Sequence, residues 1–255
     1  MPAQTCGGAR KSRGRCMREP DAAVAIVHTA GSEDGCVLLM RRAEREGDSW
    51  SGHWSFPGGG REPIDATPLE TALRELREEC GVRIDPACLE GALTPMTARR
   101  RGGTSPLVAP FVFRVDSELP TEVDTTEAVE TVWVPLRVLA DPAQHRIAPV
   151  AEYPRHVLFP SIPLGKTPLW GFTYRLIVEW LGLLPGGDDA RRLCLEEVES
   201  VRRFIGTEGG RPWNVERVLE FLSRRRDSVP PLSFVEVLPE RITVMGLGFE
   251  SYVID

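Results

Sequence analysis

The chain has 255 residues, 42% hydrophobic and 27% charged, the make-up of a globular protein long enough to bury a sizeable core. A formal charge of −6 supplies no overall basic field, which argues against general affinity for nucleic acid or for acidic membranes. No apolar run reaches the roughly 18 residues of a membrane span. The six cysteines (Cys6, Cys16, Cys36, Cys80, Cys88, Cys194) form no CxxC pair, so free thiols in a reducing cytoplasm are expected.

Residues 1–20 include the basic, Gly-rich run "GGARKSRGRCMREP". A disordered tail is expected there; a transit peptide is the alternative, disfavoured by the lack of an amphipathic apolar face. The run "AAVAIVH" (22–28) and the run "CVLLMRR" (36–42) read as strands of a hairpin joined by the turn residues "GSEDG". A polar loop containing Trp50 follows. Thr67 to Cys80 is the clearest helix: Thr67 caps it, Pro68 takes the first helical position, Glu70 completes a capping box and Gly81 ends it. Three β-like segments come next, at 91–98, 107–115 and 129–136, the first two joined by a turn at Arg99–Gly103. A further strand is expected in "RHVLFPSI" and a second long helix at Leu169–Leu184. Helices near 190–204 and 214–225, then two β-rich runs, complete the chain. The order predicts an α/β protein, a mixed sheet flanked by helices over 21–186. Residues 187–255 form an extension that either covers the core or makes a homodimer face.

The helix at 67–80 poses a question. Leu69, Leu73, Leu76 and Cys80 fall on one side of it. Glu75, Glu78 and Glu79 lie within an arc of about 100° on the other side. Clustered carboxylates repel, at a cost of a few tenths of a kcal/mol per pair. Arg74 stands one turn from both Glu70 and Glu78 and can pair with either. A solvated, ion-paired face would account for two glutamates alone. Three, approached through Gly58-Gly59-Gly60, suit a hard divalent cation that prefers oxygen ligands and bridges to phosphates.

The stretch "GGGREPIDATPLETALRELREECGV" resembles the signature of the Nudix hydrolases. Its second half matches at Arg74, Glu75, Leu76, Glu78, Glu79, Gly81 and Val82. The first half departs: counted from Gly60, the family's glutamate falls on Ala66, whereas Asp65 carries an acid one place earlier. That displaced acid, with Glu62 and the Leu73-Arg74-Glu75 run, resembles the branch that acts on coenzyme A. Upstream, Leu38, Leu39, Arg42 and Gly52 match that branch's motif, Met40 and Ala43 replace its Thr and Ser, and its second arginine is missing or shifted to Arg45. The likeness covers about residues 22–184.

The resemblance implies a Nudix-type α/β/α sandwich around a mixed β-sheet, and hydrolysis of a nucleoside diphosphate linked to another group with Mg²⁺ or Mn²⁺. It implies Glu75, Glu78 and Glu79 as metal ligands and catalytic carboxylates, with Arg74 orienting a glutamate. The glycine loop (Gly58, Gly59) would supply a backbone ligand and contact substrate. Glu127 and Glu130 are candidates for a further acid, against the alternative of exposed strand-edge charges. Arg42, Arg45 and the Arg99–Arg101 turn are candidate phosphate contacts, the turn being read in the first place as a solvated hairpin tip. Trp50 and Trp54 would either stack on a base or pack beneath the glycine loop, and His53 reads as loop structure. Coenzyme A or an acyl derivative is the expected substrate. ADP-ribose, dinucleotides and modified nucleoside triphosphates are the alternatives, and a non-catalytic nucleotide sensor is the competing class.

Overall fold

The computed structural model describes residues 18–30, 35–46, 50–99, 104–183, 196, 199–204, 215–224, 233–238, 241–246 and 251–254. Most of the expected basic tail, the tips of both expected turns and much of the expected 190–204 helix lie outside them.

The first sheet opens with β1 (Ala22–Thr29) and β2 (Cys36–Arg42), antiparallel as the hairpin reading requires. β3 (Trp54–Ser55) pairs with the end of β2, and β4 (Gly58–Gly60) pairs with the start of β1, so the β3–β4 segment inserts between those two strands. After the helix α1 (Pro68–Cys80) come β5 (Leu89–Ala92) and β6 (Met96–Thr97), separate strands where one segment was expected. Pro95 precedes β6; without an N–H it cannot continue a ladder. Both pair with β7 (Leu107–Val115), which runs parallel to β1 along its whole length. β8 (Ala128–Pro135) covers the other edge of β2. The sheet is mixed, as expected.

Strand alternation divides the core. Ala23, Ala25 and Val27 of β1 and Leu38 and Met40 of β2 pack with Ala72, Leu76 and Cys80 of α1. Ile26, Val37 and Leu39 point to the opposite face. There they meet the short helix α2 (Leu136–Ala140) and the helix α3 (Gly171–Trp180) through Leu139, Leu176 and Ile177. Helices on both faces give the expected α/β/α sandwich.

A second sheet follows. Its spine is β10 (Val157–Ile162), flanked on one edge by β9 (Arg146–Pro149). The other edge is shared by β11 (Leu169–Trp170) and β12 (Ser233–Val237). β13 (Ile242–Gly246) and β14 (Ser251–Ile254) continue outward from β12. This sheet draws strands from both sides of residue 186, around Ile147, Leu158, Val235 and Ile242. The helix at Val215–Arg224 adds Val218 to that cluster. Leu169 and Trp170 are extended rather than helical, and α3 begins at Gly171, whose φ of +67° is a turn conformation that glycine adopts without a Cβ clash.

Candidate active site

α1 is fixed at both ends by its own sequence. Thr67 accepts from the Glu70 N–H, a cap worth about 1 kcal/mol. Glu70 reaches back to accept from the Ala66 N–H at 2.6 Å, one residue beyond the Thr67 N–H of the reciprocal box expected. Gly81, at φ +68°, closes the last turn by donating its N–H to the Arg77 carbonyl. Glu70 being thus engaged, Arg74 turns elsewhere.

Arg74 is the hub of the site. Its Nε donates to Asp65 Oδ1 and its Nη2 to Asp65 Oδ2, both at 3.0 Å, a bidentate pair. Nη2 also donates to the Gly60 carbonyl at 3.0 Å, and Nη1 lies 2.8 Å from Glu78 and 3.0 Å from Glu75. Asp65 is buried and further accepts from Thr71 Oγ1 and the Glu62 N–H. Hydrogen bonding to Arg74 holds its carboxyl down at about 2, against the opposing effect of burial. The displaced acid of the signature is therefore the group that aims Arg74. Its spacing was visible in the sequence; its partner was not.

The glycines permit close approach. A Cβ on Gly58 would lie 2.4 Å from the Ala23 carbonyl oxygen, and one on Gly59 would lie 2.4 Å from Glu75 Oε1. Either would displace what it met. Gly58 also donates its N–H to Glu79 Oε2 at 2.8 Å.

The three glutamates do not share one environment. Glu78 is half exposed, Glu75 is largely covered, and Glu79 is 3% exposed, buried on the sheet side rather than displayed opposite it. The reason is helical: Glu79 follows Ala72 by seven residues, nearly two turns, so both fall on the packed stripe. Burial, reinforced by Glu75 and Glu127, pushes Glu79 up to about 8 against the opposing Gly58 N–H and Arg42. Burial also raises Glu75, with Arg74 opposing and Glu78 and Glu127 adding to the rise.

The structure brings Arg42, Gly58, Gly59, Arg74, Glu75, Glu78 and Glu79 together. The Arg42 guanidinium stands 3.9 Å from Glu79 Oε1. Arg45 and Glu127 pair at 3.0 Å, with the Thr126 carbonyl also accepting from Arg45, and Glu127 is near enough to raise both buried glutamates. Glu130 is drawn off to Arg41 at 2.6 Å. Trp54 takes the packing role, its Nε1 donating to the Leu164 and Thr167 carbonyls, while Trp50 lines the adjoining cleft.

Among the described residues no three His, Cys, Asp or Glu side chains stand together as a ready cation site. Arg74 holds Glu75 and Glu78, and the Gly58 N–H holds Glu79. The donor set nevertheless fits a hard divalent ion. Its carboxylates are crowded, Glu75 and Glu79 are raised in pKa, and the missing Cβ of Gly59 leaves room for the Glu75 oxygens.

Beside these carboxylates opens a cleft of about 940 Å³ between the two sheets. One side carries Gly58–Gly60 and Arg42. The other carries Tyr153, Phe159 and Trp170, which the sequence did not single out because they come from separate elements. Trp170 falls within a run that read as helix.

The NUDIX domain profile matches residues 19–153, more than half of the chain. The chain belongs to the Nudix family. A probable nudix hydrolase of Schizosaccharomyces pombe is 26% identical over 183 residues, 71% of this chain and 59% of that one. The human mitochondrial coenzyme A diphosphatase NUDT8 is 31% identical over 115 residues, 42% of this chain and 49% of that one. The matches span 33% to 65% of the length of the first curated relatives. Among solved structures, a MutT/nudix family protein from Enterococcus faecalis aligns with 17% identity and a TM-score of 0.43, covering 67% of this chain and 63% of that one. The Nudix match ends at residue 153, ahead of β10, β11 and α3, so most of the cleft's aromatic side lies beyond it. No helix among the described residues is long and apolar enough to cross a membrane, and Cys36, Cys80 and Cys88 are free thiols.

Proposed function

We propose that this chain is a divalent-metal-dependent diphosphohydrolase. Its substrate is a nucleoside diphosphate linked to another group, taken as coenzyme A or an acyl derivative, giving 3′,5′-ADP and 4′-phosphopantetheine. The observation that carries the reading is the Arg74 hub: one largely covered, doubly anchored guanidinium sets two signature carboxylates beside a third, buried one, at the edge of a ring-lined cleft. Glu75, Glu78 and Glu79 would hold Mg²⁺ or Mn²⁺, with the Gly59 carbonyl and Glu127 as further oxygen donors. When bound, the metal supplies neutralisation of diphosphate oxygens and an activated water.

The chain's own residues bind and orient. Asp65 fixes Arg74, and Arg74 fixes the carboxylates of Glu75 and Glu78. The Gly58 N–H holds one oxygen of Glu79, leaving the other turned toward Arg42. Arg42, beside that carboxylate and on the cleft wall, is in position to take a diphosphate oxygen. The coenzyme A reading draws on the Glu62–Asp65 spacing, the Leu38–Arg42 motif and a relative of that name. One observation favours other Nudix substrates: Arg45, the shifted arginine of that motif, is engaged by Glu127 and the Thr126 carbonyl. ADP-ribose, dinucleotides or modified nucleoside triphosphates are the second reading.

A substrate panel with Mg²⁺ and with Mn²⁺, products identified by mass, tests both. 3′,5′-ADP and 4′-phosphopantetheine from coenzyme A are expected. Inert coenzyme A alongside brisk ADP-ribose or nucleoside triphosphate cleavage would overturn the substrate and keep the chemistry. No turnover of any of them would overturn the enzyme reading in favour of a nucleotide sensor.

A further inference from the structure

The cleft's second wall is made of rings that the signature does not supply. Trp170 is its centre: its ring lies 4.8 Å from that of Phe159, 5.6 Å from that of Tyr153 and 4.7 Å from that of His53. The three meet the indole at 57°, 87° and 65°, tilted or edge-on, so none lies flat over it. Tyr153, Phe159 and Trp170 keep partial exposure on the cleft. The space beside the indole is open: a Cβ on Gly171 would meet no atom within 4 Å beyond its chain neighbours. The same holds for Gly60 on the opposite wall. Partly exposed rings grouped on a cavity wall are suited to receiving a planar ring by offset or edge contact.

The two walls are tied together, so the rings stand in a fixed place relative to the carboxylates. Trp54 of β3 donates its Nε1 to the carbonyls of Leu164 and Thr167, just ahead of β11. Its own carbonyl accepts from Thr173 Oγ1 of α3 at 2.9 Å, a buried hydrogen bond. The β4 glycines begin three residues past β3, and Gly58 donates to Glu79. The volume of about 940 Å³ is at the upper end of small-molecule sites, roughly 300–1,000 Å³. One end of this space opens on the glycine loop and Arg42, the other on the rings. A ligand that fills both is anionic at one end and planar at the other, which is the build of a nucleotide. A flexible aliphatic chain gains less from ring faces and loses more rotamer freedom.

We propose that Trp170, with Phe159 and Tyr153, forms the subsite that receives the base of the substrate nucleotide. The subsite rests on the diphosphohydrolase reading and deepens it. Phe159 and Trp170 lie beyond residue 153, where the Nudix match ends, so base recognition belongs to the second sheet and not to the signature helix. β12 holds the edge of β10 beside Phe159, pairing Val235 with Leu158, which brings the extension into the support of this subsite.

The probes are adenosine 5′-monophosphate and ribose 5-phosphate, which carry one phosphate with and without a base, titrated calorimetrically into the full chain with Mg²⁺. The nucleotide is expected to bind at least ~10-fold more tightly. Trp170→Ala should reduce that advantage to within ~3-fold without moving ribose 5-phosphate, and Trp170→Phe should restore most of it. Trp170 belongs to neither of the core clusters it adjoins, so the variant is expected to fold. Phe159→Leu, which keeps apolar bulk without a ring, is the second variant and should weaken the nucleotide by ~3-fold. Equal binding of the two probes by the unaltered chain overturns the subsite, as does an advantage that survives both variants. A third probe is 4′-phosphopantetheine. If it binds more tightly than the nucleotide and is the one weakened by Trp170→Ala, the wall takes an aliphatic chain and the proposal falls. Diphosphate hydrolysis measured on the same preparations separates the two readings. Turnover without base preference removes the subsite alone, and base preference without turnover removes the hydrolase reading alone.

Discussion

On one side of the cleft, residues 58–81 assemble a charged wall from a single short stretch: a glycine strand, a loop acid and one helix. On the other side, Tyr153, Phe159, Trp170 and Arg175 come from a turn, two strands and a helix that meet only because β10 pairs with β11. The charged wall is ordered chiefly by short-range ion pairs of Arg74, with Asp65 nine residues before it and Glu75 and Glu78 one and four residues after it. The aromatic wall depends on long-range pairing, including that of β10 with β12 across more than 70 residues. On the proposed function, chemistry that needs sub-ångström placement would sit on the locally encoded wall. Recognition, which tolerates a looser fit, would sit on the wall that can change without disturbing it.

The largest expected effect is on the charged wall. Glu79→Gln or Glu78→Gln should cost at least ~100-fold in turnover with the fold intact, because metal-site carboxylates carry several kcal/mol of transition-state stabilisation. Full activity in either folded variant would dismantle the assignment of this wall. Asp65→Ala comes next. It leaves the largely covered Arg74 without its bidentate acceptor, though still paired with Glu75 and Glu78, and should destabilise the protein by ~1–3 kcal/mol in denaturant unfolding. A loss below ~1 kcal/mol would mean that Arg74 is held mainly by Glu75 and Glu78.

Removing residues 188–255 addresses the other wall. The truncated chain loses β12 and exposes the edge of β10, so reduced solubility or altered assembly is expected, with Mg²⁺ binding retained. A truncated chain that is soluble and binds metal yet fails to turn over would place the extension within the chemistry rather than beside it.

The smallest effect is a pH dependence with two limbs. Asp65, depressed to about 2 from 3.8, contributes stability that is present above the unfolded value and lost as pH falls through the folded one. Glu79 has the opposite sign. Raised to about 8 from 4.5, it keeps a proton in the fold that the unfolded chain releases, so metal-free stability falls as pH rises across that window. Mg²⁺ should flatten the upper limb by favouring ionised Glu79. A metal-free Tm that rises from pH 5 to 8 would contradict the buried placement of Glu79.

Much of the charged wall was legible in the sequence. The Thr67-Pro68-Glu70 start, the Gly81 stop and the Arg74–Glu79 run carry their geometry in their spacing, and α1 follows them residue for residue. Glu79 shows where such reading falls short: three acids on one arc looked uniformly exposed, and only packing against β1 and β4 decided that one of them is buried. The aromatic wall was not legible, because Trp170 sits in an apolar run whose helical periodicity masks a strand and a Gly171 turn.

By itself, then, the sequence determined what is set within one or two helical turns: caps, strand alternation, the mixed-sheet class and the identity of the carboxylates. Tertiary structure decided which carboxylate is buried, that Asp65 rather than Glu70 holds Arg74, and that β12 completes the sheet begun by β10. Local hydrogen bonds and periodicity follow from neighbouring residues. Burial, and the pKa values and cleft walls that depend on it, follow from segments whose meeting is written in no single stretch of the chain.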